Sequence, residues 1–439
     1  MESLYTYLIF FVLLGLLAVP YWIRVAKRQR EAREQLNKNQ QSGLLTPVTL
    51  HPHIDSAKCI GCASCIKVCP ESVLGIINGR ATVVSGLQCV GHALCADVCP
   101  VGAITMGFGS PKQGEEIPWY DDDFQTNIPG IYITGELGGI GLIKNAVAQS
   151  KKAVQHIIAS NSGEGKCTYD VVIAGAGPAG LTAALAAHAS KLRYLVLEQG
   201  SIGGTIFHYP RQKLVLTAPV DLPLYGRLKV SEIAKEELLE IWLKIVQANN
   251  LNIQTNAKLE SISATPEGFD VGYSGSTVTA KNVILALGRR GSPRKLGVQG
   301  EEQPKVAYQL IDAEAYVQKK ILIVGGGDSA IEAAVALSRQ KGNTVTLSYR
   351  RSDFVRLKEK NEKQIKDLMH AKKISAIFNS QVKEIKTEAV TLQEDPDHIR
   401  TIANDFVFIF AGGEMPVEFL KRAGVRLRTE EHTEPSARA

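Results

Sequence analysis

The sequence predicts an α/β protein with two strand–turn–helix units of the parallel type, preceded by a small α+β module and an apolar N-terminal helix. Three observations predict it. Two apolar strands break into glycine-rich turns that open alanine-rich helices, at Gly175-x-Gly177-x-x-Gly180 and Gly325-x-Gly327-x-x-Ala330. Seven of the eight cysteines lie between Cys59 and Cys99, in two runs of one frame. An uncharged apolar stretch opens the chain, from Leu4 to Ile23. With 439 residues and 45% hydrophobic content the chain can bury several cores, and its length suits two to four domains. The net charge of +6 is largely local, so nucleic acid is not an expected partner.

Residues 4–23 (LYTYLIFFVLLGLLAVPYWI) carry no charge and are long enough to cross a hydrocarbon core of ~20 helical residues. Tyr5, Tyr7, Tyr21 and Trp22 sit near the ends, where aromatic rings favour a membrane interface. Arg24, Lys27, Arg28, Arg30 and Arg33 follow. The expectation is a single-pass transmembrane anchor at 1–24 in a bacterial inner membrane, N-terminus outside and the remaining domains cytoplasmic. A cleaved signal would carry its basic residues before the apolar run and a small-residue site after it, and neither is present. Residues 25–50 read as a helical or flexible stalk, a solvated spacer.

The cysteine runs are Cys59-x2-Cys62-x2-Cys65-x3-Cys69-Pro70 and Cys89-x2-His92-x2-Cys95-x3-Cys99-Pro100. Spacings of two residues let three thiolates converge on one cubane, and the fourth cysteine, before proline, serves the other cluster. Cys59, Cys62, Cys65 and Cys99 are then expected on cluster one, and Cys89, Cys95 and Cys69 on cluster two. Zinc ribbons also use paired cysteines but lack this doubled frame. Residues 51–108 resemble bacterial two-cluster 4Fe–4S ferredoxins in every ligand position but one. His92 stands at that one, and two readings stay open. It is a solvent-facing histidine beside a 3Fe–4S cluster, or it is an imidazole ligand that raises the potential of a 4Fe–4S cluster.

The first glycine unit is the more complete. Strand 170–174 leads into Gly175, Gly177, Pro178, Ala179 and Gly180, and strand YLVLE ends in Glu198, 18 residues beyond Gly180, in reach of a ribose hydroxyl. The glycines make the turn, admit a pyrophosphate and let helix pack on strand, and the helix N-terminus faces the phosphates. The second unit contributes Gly325, Gly327, Asp328, Ser329 and Ala330. Its second strand ends in Arg350 and Arg351, with Arg356 shortly after, which suits the 2′-phosphate of NADPH better than NADH. Both units are therefore read as Rossmann-like dinucleotide-binding domains.

One acid-ended and one arginine-ended unit, together with GAGPAG (175–180), Gly203-Gly204-Thr205, VILALG ending in Gly288, GGGDSAIEAA (325–334) and YRR (349–351), resemble the thioredoxin reductase-like flavoproteins, including their ferredoxin–NADP reductase members. The resemblance spans about 165–428 and implies FAD on the first unit and NADPH on the second. The family ends its FAD domain with T-x-x-P-G-I-F-A-x-G-D, absent after Gly413 but matched upstream by Thr126-NIPGIYITGE-Leu137. The expected flavoprotein is thus circularly permuted, with Gly135 and Glu136 at the flavin's ribityl chain and a helix from about Leu142 facing the ring. The expected domains are 51–108 ferredoxin, 119–160 permuted FAD segment, 165–290 FAD domain, 291–402 NAD(P)H domain, 403–428 return into the FAD domain and 429–439 disordered tail.

The family's redox Cys-x-x-Cys has no counterpart, since 288–320 contains no cysteine and Cys167 has no neighbour in sequence. No side chain stands out as catalytic, and His208 reads as structural or near the flavin. The resemblance implies an oxidoreductase that moves electrons between NAD(P)H, FAD and two clusters, in either direction. The alternatives are a membrane-tethered relay subunit and a flavin reductase of a small substrate fed by the clusters. Expected partners are the membrane, an electron-transfer protein or quinone-linked enzyme, and a second copy in a homodimer.

Overall fold

A charged, helix-favouring sequence continues the N-terminal helix past the apolar run, and α1 spans Glu2–Gln41 through Pro20. The computed structural model describes residues 2–41, 50–107, 117–139, 141–160, 166–211, 213–216, 219–230, 232–289, 292–354, 357–395 and 398–428. Within α1 the side chains of 2–6, 8–13 and 17 are not described. Among the described residues no helix is long and apolar enough to cross a membrane. The transmembrane helix expected over Leu4–Ile23, and the inner-membrane location built on it, are corrected accordingly.

The chain divides into two compact units, residues 1–113 and 114–429. In the first, β1 (His51–Ile54) pairs antiparallel with β4 (Ile104–Gly107), and β2 (Leu74–Ile77) with β3 (Arg80–Val83). Two short helices, α2 (Ser64–Val68) and α3 (Leu94–Asp97), follow the cysteine turns. Val73, Leu74, Ala81, Ile104, Cys65 and Cys95 form the small core. Within the stretch read as a solvated stalk, residues 32–39 pack against this module. A Cβ on Gly75 would stand 2.7 Å from Ala32 Cβ, so only glycine lets α1 lie against β2. Asn39 Nδ2 donates to the Val84 carbonyl at 2.6 Å, Gln35 Nε2 to Ser85 Oγ at 3.2 Å, and Arg33 to Asn78 Oδ1.

In the second unit β5 (Ile131–Ile133) and α4 (Ile143–Ser160) precede β6 (Tyr169–Ala174), α5 (Pro178–Ala189) and β7 (Tyr194–Glu198). Short antiparallel pieces follow: β8 (Leu214–Leu216), β9 (Val220–Leu222), β10 (Gly226–Leu228) and β11 (Glu232–Ala234). Then come α6 (Lys235–Ala248), β12 (Ile253–Thr255), β13 (Leu259–Thr265), β14 (Gly268–Tyr273) and β15 (Ser276–Leu285). Strands β12, β7, β6, β15 and β5 lie parallel in that order. The first half of β15 instead pairs antiparallel with β14. Strands β6 and β7 are near-continuous apolar runs and are buried on both faces. Asp170, at the start of β6, is bound by the Arg193 guanidinium at 2.8 Å, which holds its carboxyl below the ordinary range against the opposing effect of burial.

The chain then crosses through β16 (Ser292–Pro293) to β17 (Val306–Ala307), β18 (Lys320–Val324), α7 (Asp328–Ser338), β19 (Thr344–Ser348), α8 (Glu359–His370) and β20 (Ile374–Ile377). An antiparallel meander β21 (Gln381–Ile385), β22 (Ala389–Asp395), β23 (His398–Ala403) leads to β24 (Phe406–Ile409), β25 (Gly413–Glu414) and α9 (Val417–Arg422). The second parallel sheet runs β17-β24-β18-β19-β20. Strand β24 thus lies in the nucleotide sheet, and the crossing back comes after it. There β25 pairs with β16, and Leu427 bridges Pro118.

Valine in place of Gly75 is expected to lift α1 off β2 at an overpacking cost of about 1–3 kcal/mol. Hydrogen exchange would then quicken over 30–41 while 166–289 is unchanged; unaltered protection of 30–41 would refute this packing.

Candidate functional site

The cysteine turns owe their shape to left-handed backbone. Gly61 and Gly91 have φ of 70° and 76°, and each is followed two residues on by an alanine with positive φ that starts a short helix. The turns and the α2 and α3 starts bring the ligand candidates into two separate cavities. Cys59, Cys62, Cys65 and Cys99 line one with Ile60, Gly61 and Ala103. Cys69, Cys89, Cys95 and His92 line the other, with Glu71 and Met106. The cysteine before each proline therefore sits with the opposite run's thiols.

The donor set suits a thiolate-bound cluster. Backbone N–H groups donate to sulfur from Ala103 to Cys99 at 3.2 Å, from Ala81 to Cys59 at 3.4 Å and from Val73 to Cys69 at 3.5 Å. Such donors stabilise the anionic form. Without positive charge nearby, burial pushes the Cys95 thiol up to about 11, with neighbouring Cys89 adding to it, and burial raises Cys89 and Cys65 as well. Exposed Cys62 is lowered by the Ser64 N–H. Iron binding would have to displace protons from the buried thiols, which couples cluster insertion to pH. Among the described residues no three His, Cys, Asp or Glu groups converge as one metal ion would need. A cubane gives each thiolate its own iron, so its ligands need not meet at a point.

In the second unit the glycine turn after β6 is tightly enclosed. A Cβ on Gly175 (φ 105°) would meet the Ala286 carbonyl oxygen at 2.5 Å, and one on Gly180 would strike the Gly175 carbonyl. Pro178 occupies the first turn of α5, where its missing N–H costs nothing. Gly203 donates to the Ala176 carbonyl at 2.9 Å, and a Cβ on Gly204 would reach Gly177 Cα at 3.1 Å. Thr205 Oγ1 lies 4.0 Å from where a Gly288 Cβ would be. The buried Glu198 carboxylate accepts from Ala176 N at 2.7 Å and Gly200 N at 2.8 Å, bracing the turn. Segments 175–180, 203–205 and 288 thus converge beyond the C-terminal ends of β6 and β15, where backbone could approach a pyrophosphate closely.

The upstream segment reaches the same place. Pairing of β5 with β15 carries Gly135 (φ 78°) to within 3.0 Å, measured from its would-be Cβ, of Ala179 Cβ. Ala146 on α4, Ala179 on α5 and Ala286 after β15 pack together. Gly135 N donates to the buried side chain of Gln149 at 2.7 Å, a contact the sequence reading missed. The signal was there in principle, since Gln149 is a polar residue between the apolar positions Ala146 and Ala153. Half-buried Glu136 follows in the turn Gly135–Gly138. Helix α4 begins at Ile143, after Leu142 with φ 92°.

At the second glycine turn, a Gly325 Cβ would meet the Phe410 carbonyl at 2.6 Å. One on Gly326 would meet the Tyr349 ring at 2.5 Å, so the ring lies flat against the turn. Gly327 precedes α7, and Ala330 N donates to its carbonyl at 3.0 Å. Asp328, followed by Ser329 in the first turn, accepts from Lys358 N at 3.0 Å and Asn361 Nδ2 at 2.7 Å, tying the turn to α8. Arg350 is exposed and Arg351 half-buried at the end of β19, while Arg356 lies outside the described residues. Two ion pairs the sequence did not disclose link the two halves: Lys213 to Glu332 at 2.8 Å and Arg211 to Asp312 at 3.4 Å. His208 stacks edge-on with half-exposed Phe207, and buried Cys167 donates to the Glu267 carbonyl at 3.3 Å.

Residues 52–106 match the 4Fe-4S dicluster domain, and residues 172–437 match the pyridine nucleotide-disulphide oxidoreductase family. Bacilliredoxin reductase Bdr of Bacillus subtilis is 26% identical over 264 residues, covering 59% of this chain and 81% of that protein. A ferredoxin–NADP reductase of Ignicoccus hospitalis is 29% identical over 274 residues, covering 60% and 83%. Among solved structures, bacillithiol disulfide reductase Bdr from Bacillus cereus superposes with a TM-score of 0.54 at 26% identity, over 61% of this chain and 88% of that one. The family match covers more than half of the chain, which therefore belongs to the pyridine nucleotide-disulphide oxidoreductase family, as an NAD(P)H-dependent flavin and iron–sulfur oxidoreductase of the thioredoxin reductase and ferredoxin–NADP reductase type.

Proposed function

We propose that the chain passes electrons between NADPH and a separate electron-transfer protein by way of FAD and two iron–sulfur clusters. The observation that carries this is the pair of cysteine cavities in a family member whose nucleotide half has no redox disulfide. Its one cysteine beyond residue 108, Cys167, is buried against a backbone carbonyl and has no second thiol to bond with. When bound, the flavin supplies the exchange between a hydride on the nicotinamide side and single electrons on the cluster side.

The residues act by position. Gly175, Gly177 and Gly204 would let backbone lie close to the dinucleotide phosphates, and Glu198, which braces the turn, would also face the ribose. Gly135 and Glu136 would complete the flavin cradle from the upstream strand. We read that strand as the family's last FAD segment, permuted to the front. In support, β5 joins the parallel sheet although the family match begins only at residue 172. Arg350 and Arg351 would take the 2′-phosphate. Cys59, Cys62, Cys65 and Cys99 would hold one cluster, and Cys69, Cys89 and Cys95 three corners of the other.

Valine at Gly135 is expected to push Ala179 away and strip most flavin from purified protein, and full flavin content in that variant would sink the permuted-segment reading. Alanine at both Arg350 and Arg351 should raise KM for NADPH by roughly 10-fold or more, the loss of charge-assisted hydrogen bonds, with KM for NADH little changed. Equal effects on both nucleotides would remove the specificity argument. Anaerobic NADPH should bleach the flavin and then bring up cluster EPR signals. No bleaching would refute nucleotide-to-flavin transfer, and bleaching with silent clusters would refute the onward step.

A further inference from the structure

The two cysteine turns are built on one backbone plan. Gly61 and Gly91 share left-handed φ of 70° and 76°, and Ala63 and Ala93 share φ of 61° and 63°. Positive φ is uncommon for a residue with a side chain, yet each turn holds an alanine there, one residue past position 62 or 92. In both turns the same alanine starts a short helix whose buried cysteine, Cys65 or Cys95, lines the adjoining cavity. The backbone therefore delivers residue 92 to the second cavity in the way it delivers Cys62 to the first. Around the first cavity stand four thiols, and around the second three thiols and the His92 imidazole.

We propose that His92 is the fourth ligand of the second cluster, binding through one imidazole nitrogen the iron that Cys69, Cys89 and Cys95 leave without a thiolate. This rests on the dicluster reading above and goes beyond it. A neutral imidazole in place of a thiolate removes one negative charge from the site, so the cluster takes up an electron more readily than its all-cysteine counterpart. Glu71, which lines the same cavity, acts in the opposite sense, so the comparison that isolates the imidazole is made within this site rather than between the two clusters.

The test uses the full chain, purified anaerobically with nitrogen-15-labelled histidine and partially reduced for pulsed EPR. Expected is a nitrogen coupling on one of two cluster signals. In His92→Cys that coupling disappears while the cluster stays 4Fe–4S and needs a lower potential for reduction. The cluster-one signal, unchanged, reports that the module is folded. In His92→Ala the second cluster should lose one iron and give an oxidised 3Fe–4S signal. Two reduced clusters without nitrogen coupling in the unsubstituted protein, or a native 3Fe–4S signal there, would overturn the ligand assignment alone. Absence of any cluster signal would overturn the iron–sulfur reading and this inference with it.

Discussion

Strand β15 is the element on which the second unit depends, because it answers to three partners at once. Its first half pairs antiparallel with β14, and its second half lies parallel between β6 and β5. Its end then supplies Ala286 and Gly288 to the glycine turn. A one-residue slip of β15 would send each of its side chains to the opposite face of the sheet. It would also separate Gly175 from Ala286 and Gly135 from Ala179. The register is held by burial, since Val283, Ile284 and Leu285 are fully enclosed. The parallel β5–β15 pairing asks only that β5 lie alongside, whatever its place in the chain. A segment ahead of β6 in the chain can therefore join the sheet beside β15.

Much of this was legible in the sequence, and the reason differs from element to element. Gly175, Gly177 and Gly180 announced a turn because a Cβ at two of those places collides with backbone, a constraint local enough to show in six residues. The cysteine frame was equally readable, since its spacing states which thiols can share a cavity. What stayed hidden depends on distance along the chain. The pairs Lys213–Glu332 and Arg211–Asp312 join residues about a hundred positions apart, and no periodicity marks them. Asp328 was expected among the cofactor-binding residues from its motif, and nothing in the sequence signalled that its carboxylate also accepts from Lys358 N and Asn361 Nδ2. The role of β24 was obscured because FVFIFAGG fits a strand of either sheet, and only its pairing with β18 decides.

The N-terminal helix shows a different limit. Composition alone made 25–50 a spacer, because its surface is charged and its apolar content low. Yet Ala32 meets Gly75, and Asn39 and Gln35 bond to Val84 and Ser85, contacts that need one small residue and two amides rather than an apolar face. Helix docking through a glycine notch leaves almost no hydrophobic signature. The apolar run before it carried a membrane expectation that the described residues do not sustain, and length counting gave no way to tell these outcomes apart.

The two cysteine cavities finally bear on why one chain would keep two near-copies of a turn and alter one residue. If both sites held the same ligands in similar surroundings, electrons would have little reason to prefer either. Here the surroundings differ by more than the ligand. Cys62 is exposed with Lys67 acting on it, whereas Cys89 is half-buried and feels Glu71. Positive charge near the first site favours its reduction, while a carboxylate disfavours reduction of the second. If His92 ligates the second cluster as proposed, its neutral imidazole works against that difference and draws the two potentials together. The histidine would then be less a defect in a ferredoxin than a correction for the acidic setting of its own cavity.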